Sequence, residues 1–240
     1  MNYNVGDTLF TDGAHKGRTV KEIEIIDPEY IKCFTREYPE RPESKAYLML
    51  LTARAWLNKP VLIPDNLIVD AMIFSHELAP TMEHIKDRNQ PNKDKWVKDI
   101  TDGRIGEWIA HYILSDIYSC ITIPDQKIYA KKTWKPNLVD VETGQEFSVH
   151  TQNTKSKRDN GESWTFAVTD PLVKNEADPK TKICFILIDR SEQIGQLRAI
   201  VNIDTLHKKN LFKPPAAVHL IPHKKCIYFK DLEDLDRCEL

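Results

Sequence analysis

Residues 183–188 read Ile-Cys-Phe-Ile-Leu-Ile, an unbroken run of six apolar side chains. A strand with one face in solvent alternates apolar and polar residues, whereas a strand covered on both faces is apolar throughout. This run therefore predicts a strand at the centre of a sheet, with other elements packed against both of its faces. It is the segment that decides the fold class.

The sequence around this strand mixes a helical segment with several short β-like runs. Apolar residues recur at helical spacing over 103–115. The strand-like runs lie at 121–123, 128–134, 138–141, 146–152, 164–168 and 198–201. A helix followed by such a cluster of strands predicts an α/β fold, in which a mixed β-sheet is flanked by helices.

The first part of the chain has a different organisation. Thr19 and Glu22 have the spacing of a capping box, which predicts a short helix over 20–26. Turn residues before this helix favour a short hairpin, and two further helices are predicted over 29–37 and 44–57. We therefore predict a small accessory module over residues 1–62 and a second domain over residues 63–240.

The composition is that of an ordinary globular chain, with 41% hydrophobic and 29% charged residues. No apolar run approaches the roughly 20 residues that a membrane-spanning helix needs, and the first residues do not resemble a secretory signal. The five cysteines are scattered and contain no CxxC pair, which argues against a zinc knuckle. We expect a cytoplasmic protein with reduced thiols and no membrane partner.

The net charge of −2, from 34 basic and 36 acidic residues, excludes a strong electrostatic attraction of the whole chain to nucleic acid. Any nucleic-acid surface must therefore be local. Basic residues do cluster on both sides of the segment 136–152, with Lys127 among those that precede it. The predicted DNA contacts are Lys131, Lys132, Lys135, Lys155, Lys157 and Arg158.

Residues 146–152, Glu-Phe-Ser-Val-His-Thr-Gln, follow a turn and alternate with a period of two. Phe147, Val149 and Thr151 are expected on one face of this strand. Glu146, Ser148, His150 and Gln152 are expected on the other face. A strand, a tight turn and a strand with acids at the bend is typical of magnesium sites built from two carboxylates.

The stretch 103–212 resembles the core of the PD-(D/E)XK nucleases. Glu107 matches the helix glutamate of that family, and Pro136-Asn137 stands where Pro-Asp is expected. Ser148-Val149-His150 occupies the acid-x-Lys positions. The resemblance implies a restriction-endonuclease-like core, DNA as the partner, and phosphodiester hydrolysis that depends on a divalent metal.

Three substitutions depart from the family pattern. Asn137 and Ser148 carry no charge, and His150 is not a permanent cation near neutral pH. Two interpretations remain open. The site has migrated, with Glu107, Asp140 and Glu146 as ligands of Mg²⁺ or Mn²⁺, His150 assisting the attacking water and Gln152 extending the same face; or the chain is an inactive relative that has lost cleavage.

The segment Asp12-Gly-Ala-His-Lys-Gly-Arg-Thr19, followed by Asp27-Pro-Glu-Tyr-Ile31, resembles the small C-terminal accessory module of exonuclease X-type proteins. This resemblance covers about residues 1–58 and implies an association with nucleic-acid enzymes. A different class of function also stays open. The chain could be a non-catalytic protein-interaction scaffold, such as a phage or defence-system factor, which binds a protein partner.

Overall fold

The computed structural model describes residues 5–82, 93–129 and 135–240. Its α-helices are α1 (Val20–Ile26), α2 (Pro28–Glu37), α3 (Pro42–Trp56), α4 (Asp65–Leu78), α5 (Lys93–Ile117), α6 (Thr154–Asn160), α7 (Pro171–Lys174), α8 (Ile203–Lys208) and α9 (Phe229–Leu232). Its strands are β1 (Pro60–Leu62), β2 (Leu138–Val139), β3 (Glu146–Asn153), β4 (Ser163–Ala167), β5 (Lys182–Asp189), β6 (Ile194–Asn202) and β7 (Lys224–Tyr228). Within these ranges, no helix is both long enough and apolar enough to cross a bilayer.

The main sheet has five strands in the order β1-β6-β5-β3-β2. β3 and β5 run parallel, and the other neighbouring strands run antiparallel. β4 and β7 form a separate antiparallel pair. The prediction of an α/β fold with a mixed sheet and flanking helices is thereby confirmed.

β5 is the central strand that its apolar sequence predicts, and it is buried on both faces. Cys184 and Ile186 point into a first core shared with α5. Phe185 points into a second core, where it packs against Trp164 of β4 with ring centroids 4.8 Å apart. The Trp164 indole also donates a hydrogen bond to the Ile186 carbonyl at 3.0 Å. One strand therefore contributes to both cores.

The long helix α5 lies directly against the sheet because glycine allows close approach at two places. A Cβ atom at Gly106 of α5 would fall 1.8 Å from Thr151 Oγ1 on β3. A Cβ atom at Gly195 of β6 would fall 2.1 Å from Ile109 Cδ1 on α5. These contacts fix the position of the helix along the sheet and hence the position of Glu107.

The N-terminal helices begin where the sequence predicts. The Thr19 hydroxyl accepts a hydrogen bond from the Glu22 backbone N–H at 3.1 Å, and the Glu22 carboxylate accepts one from the Thr19 N–H at 2.7 Å. This capping box starts α1. The hairpin expected before it is reduced to a single antiparallel bridge between Leu9 and Thr19, and a 3-10 helix occupies Val5–Asp7.

Residues on both sides of the predicted boundary at 62/63 pack together. β1 pairs with β6 of the main sheet. Ile31 and Leu50, from the first 62 residues, belong to the same core as Ile105 and Ile113 of α5. The division into an accessory module and a second domain stays a prediction, and both parts contribute to one continuous core.

Candidate functional site

The helix glutamate of the predicted site meets the predicted hairpin at Asn137. The Asn137 amide donates a hydrogen bond from Nδ2 to Glu107 Oε1 at 2.7 Å, and its Oδ1 accepts one from the Val149 N–H at 2.7 Å. The Asn137 N–H also donates to the Phe147 carbonyl at 2.9 Å. The side chain of Asn137 therefore bridges α5 to the exposed edge of β3.

The second oxygen of Glu107 is held by Arg104, three residues earlier on the same helix. Arg104 Nη1 lies 2.8 Å from Glu107 Oε2, and its Nη2 donates to the Pro124 carbonyl at 3.3 Å. The guanidinium is buried and stacks 4.4 Å from the Phe74 ring centroid. Burial raises the pKa of Glu107, while Arg104 and Asn137 lower it. Both carboxylate oxygens thus have donors already.

Asp140, the second predicted metal ligand, does not lie beside Glu107. It is 2% exposed, and its Oδ2 accepts hydrogen bonds from the Thr143 N–H at 3.1 Å and from the Thr143 hydroxyl. Its charge contributes to raising the pKa of Tyr118, which follows the C-terminal end of α5. Glu107 lies eleven residues before Tyr118, or about 16 Å along the helix at 1.5 Å per residue. Asp140 therefore stabilises the turn between β2 and β3, away from Glu107.

Glu146 and Gln152 lie at opposite ends of β3, about 20 Å apart at 3.3 Å per residue. Glu146 Oε2 accepts a hydrogen bond from the Thr181 hydroxyl at 3.4 Å. Gln152 donates from Nε2 to the Gly161 carbonyl at 2.9 Å and accepts from the Ser163 N–H at 3.0 Å. The predicted catalytic glutamine therefore holds the connection between α6 and β4.

His150 is covered by the second core. Its ring centroid lies 3.9 Å from that of Phe166, and its Nε2 lies 3.5 Å from the Ser148 hydroxyl. Thr151, on the other face of β3, touches α5, so His150 and Glu107 lie on opposite sides of the strand. Burial, with a smaller contribution from the charge of Lys224, lowers the pKa of His150 to about 3. The ring is therefore neutral near pH 7.

This burial of His150 predicts a dependence of stability on pH. The folded pKa of about 3 lies below the ordinary value of 6.5, so the unfolded chain binds more protons between these two values. Stability is therefore complete above pH 6.5 and falls as the pH drops through this window. Urea unfolding should show that wild type loses about 2 kcal/mol more than His150→Gln between pH 7 and pH 5.

His76 provides the control, because it is exposed on α4. His76→Gln should follow the wild-type profile over the same pH range. If the free energy of unfolding of His150→Gln changed with pH in parallel with that of wild type, the pKa of His150 would not be lowered in the folded state.

The residues predicted to hold Mg²⁺ or Mn²⁺ do not fit such an ion as they are placed. Glu107, Asp140 and Glu146 accept hydrogen bonds from three different partners: Arg104, Thr143 and Thr181. In the described ranges, no group of three or more His, Cys, Asp or Glu side chains is close enough to hold a metal ion. The structure therefore does not bring the three predicted ligands together.

Several of the predicted DNA contacts are engaged with carboxylates. Lys157 Nζ lies 2.6 Å from Glu162, and Arg158 Nε lies 3.4 Å from Asp159. Lys155 is exposed on the same helix, α6. Lys131 and Lys132 fall outside the described residues. The positive charge on α6 is thus partly neutralised.

A groove of ≈ 630 Å³, lined by residues 122–127, Pro136 and Asn137, lies beside Glu107. Tyr129 stands next to it and donates a hydrogen bond to Asp125 at 2.7 Å. Lys127 Nζ and Lys135 Nζ lie 5.3 Å and 4.8 Å from the Tyr129 ring centroid, and both lysines are exposed. We call Lys127, Tyr129 and Lys135 the groove rim.

Comparison with protein-family models, curated proteins and solved structures gave no match. Arg104 and Tyr129 are not among the site residues that the sequence predicts. The spacing of three between Arg104 and Glu107 is the signal for the first, since such residues are neighbours on a helix. The position of Tyr129 between Lys127 and Lys135 is the signal for the second.

Proposed function

We propose that this chain is a relative of the PD-(D/E)XK nucleases, with a restriction-endonuclease-like core, that binds nucleic acid without cutting it. The observation that carries the proposal is the Asn137 amide, which donates to Glu107 where the family pattern would place a second carboxylate. The hydrogen bond from Asn137 therefore joins α5 to the edge of β3. A pair of carboxylates in these positions would instead need a cation between them.

The other family positions support the absence of cleavage. Ser148 supplies no carboxylate, and a neutral, partly buried His150 cannot act as the lysine of the family motif. Divalent-metal affinity for hard oxygen ligands depends on the number of charged ligands, and only Glu107 is a carboxylate at its family position here. Arg104 already pairs with that carboxylate.

The groove rim supports binding. Exposed lysines contact phosphate oxygens without reading sequence, and an aromatic ring can stack on a base. Lys127 lines the groove, and Lys127 and Lys135 both flank the Tyr129 ring, which places two cations and one aromatic ring at the edge of the groove. Asp125 accepts a hydrogen bond from Tyr129, and its negative charge lowers the net charge of the rim. We therefore expect a modest affinity for nucleic acid that depends clearly on salt.

Fluorescence anisotropy with labelled DNA tests this proposal. The double variant Lys127→Ala/Lys135→Ala should lose about tenfold in affinity, and the slope of log affinity against log salt should fall by about two, since two phosphate contacts are removed. Lys45→Ala/Lys208→Ala is the matched control, because it removes two exposed lysines elsewhere. Equal affinities for the two double variants would contradict the assigned surface.

The same samples, incubated with Mg²⁺ or Mn²⁺, test for cleavage of plasmid and single-stranded DNA. We expect intact DNA. Metal-dependent cutting that disappears in Glu107→Ala and Asp140→Ala would instead support the migrated, active site. Absence of both cutting and salt-sensitive binding would contradict a nucleic-acid function altogether.

One observation favours a second candidate, the protein-interaction scaffold. Val69, Met72 and Ile73 of α4 are between 44% and 53% exposed, and their spacing places them on one side of the helix. Leu62, just before α4, is 78% exposed. Adjacent exposed apolar side chains of this kind are typical of protein-binding surfaces.

A further inference from the structure

A polar cleft of ≈ 790 Å³ separates the N-terminal segment from one end of the main sheet. Residues 7–9, Thr11 and residues 41–43 line one wall, and residues 143–146 and 178–182 line the other. Its volume lies in the range of roughly 300–1,000 Å³ that is usual for small-molecule sites. No described residue lines both this cleft and the groove beside Asn137.

Glu43 lines the cleft and is only 1% exposed. Its Oε1 accepts hydrogen bonds from the Thr11 N–H and the Thr11 hydroxyl, both at 3.3 Å. Its Oε2 accepts none from the described residues. Arg41 Nε lies 3.5 Å from this oxygen as an ion pair, but it donates no hydrogen bond to it. One oxygen of a buried carboxylate thus lacks a donor.

A second acceptor in the cleft has the same property. Asn202 Oδ1 is buried and accepts no hydrogen bond from the described residues. Asn202 faces Lys182 across β5 and β6, and both residues line the cleft. Buried acceptors without donors are uncommon in folded proteins because each one gives up its hydration. A ligand that brings N–H donors would supply what these two oxygens lack.

The charge of the cleft favours a cation. The described residues that line the cleft include five carboxylate side chains and three basic ones. The carboxylates are those of Asp7, Glu43, Glu146, Asp178 and Asp204, and the basic groups are those of Arg41, Lys180 and Lys182. Burial lowers the pKa of Lys182 to about 8, so this lysine is partly uncharged in mildly basic solution.

We propose that the cleft binds a small organic cation with several N–H donors, of the polyamine or guanidinium type. One cationic group of the ligand donates to Glu43 Oε2, and a second donor reaches Asn202 Oδ1. Arg41 must move aside for this to happen. Its side chain is 37% exposed, and to turn toward solvent it gives up the hydrogen bonds that Nη2 donates to Thr11 Oγ1 at 3.1 Å and to Asp12 Oδ2 at 2.8 Å.

Isothermal titration of the full chain with spermidine and with agmatine, in the absence of nucleic acid, tests the proposal. We expect saturable binding of at least one probe with one site per chain. Glu43→Gln should weaken it about tenfold, because a charge-assisted hydrogen bond is replaced by a neutral one. Arg41→Gln should strengthen it, because a competing cation is removed. Glu40→Gln is the control, since Glu40 is 90% exposed and does not line the cleft.

Glu146→Gln provides a second variant if Glu43→Gln does not fold. Glu146 lines the cleft, and its carboxylate accepts, among the described residues, a single long hydrogen bond from Thr181, so its loss should weaken binding about threefold with little effect on the fold. Absence of saturable binding by both probes would overturn the proposal. So would equal affinities in wild type, Arg41→Gln and Glu146→Gln. Neither result would affect the groove beside Asn137, where a different ligand and different residues are tested.

Discussion

Asn137→Asp should lower the free energy of unfolding by about 3 kcal/mol near neutral pH, because it places two carboxylates in contact and removes a donor from a partly buried site. Asn137 Nδ2 now donates to Glu107 at 2.7 Å. In the variant, an oxygen would stand at that position and repel Glu107 Oε1. Val149 could still donate to the remaining oxygen, so the loss should come from this one contact.

The pH dependence of the Asn137→Asp variant identifies the cause. Two carboxylates in contact share a proton, which raises one pKa in the folded state above its unfolded value. The destabilisation should therefore be small below about pH 4 and should grow as the pH rises through the raised pKa. Urea unfolding at several pH values measures this difference between variant and wild type.

The double variant Glu107→Gln/Asn137→Asp is the matched control, because it exchanges the amide and the carboxylate. The glutamine oxygen could accept from Arg104, and its amide could donate to the new aspartate. We expect most of the lost stability to return. An additive loss in the double variant would mean that the contact between residues 107 and 137 does not determine the effect.

Gly106→Ala should cost about 3 kcal/mol, at the upper end of what overpacking usually costs. The added methyl group would lie 1.8 Å from Thr151 Oγ1 and 2.9 Å from Thr151 Cβ. Rotation of the threonine cannot relieve the second contact, because Cβ does not move with χ1. The helix would have to shift away from β3, and Glu107, the next residue, would shift with it.

Gly103→Ala is the control for this second substitution. Gly103 lies on the same helix, and a Cβ atom there would meet nothing within 4 Å. Alanine should therefore stabilise the chain by up to about 1 kcal/mol through its higher helix propensity. Thr151→Ala should partly rescue Gly106→Ala in thermal unfolding. Similar melting temperatures for Gly103→Ala and Gly106→Ala would contradict the close contact between α5 and β3.

The sequence predicted those features that depend on local patterns. The capping box of Thr19 and Glu22, the buried strand at 183–188 and the alternating faces of 146–152 all follow from residues close to one another in the chain. Such patterns report capping and burial directly. The mixed sheet and its flanking helices could be predicted for the same reason.

The candidate site could not be predicted in the same way, because it depends on how distant elements meet. The position of α5 on the sheet, set at Gly106, brings Glu107 to Asn137 and leaves Asp140 near Tyr118. His150 is partly covered by Phe166 of β4, and β4 pairs with β7, which begins more than seventy residues after His150. No local pattern around residue 150 indicates that cover.

The central strand β5 has a consequence for how the molecule can open. Its two faces belong to two different cores, so a fluctuation that displaces β5 disturbs the packing of both cores at once. The loss of β5 from one core is therefore also its loss from the other. We therefore expect partial opening to be confined to the periphery, and exposure of β5 to require unfolding of most of the molecule.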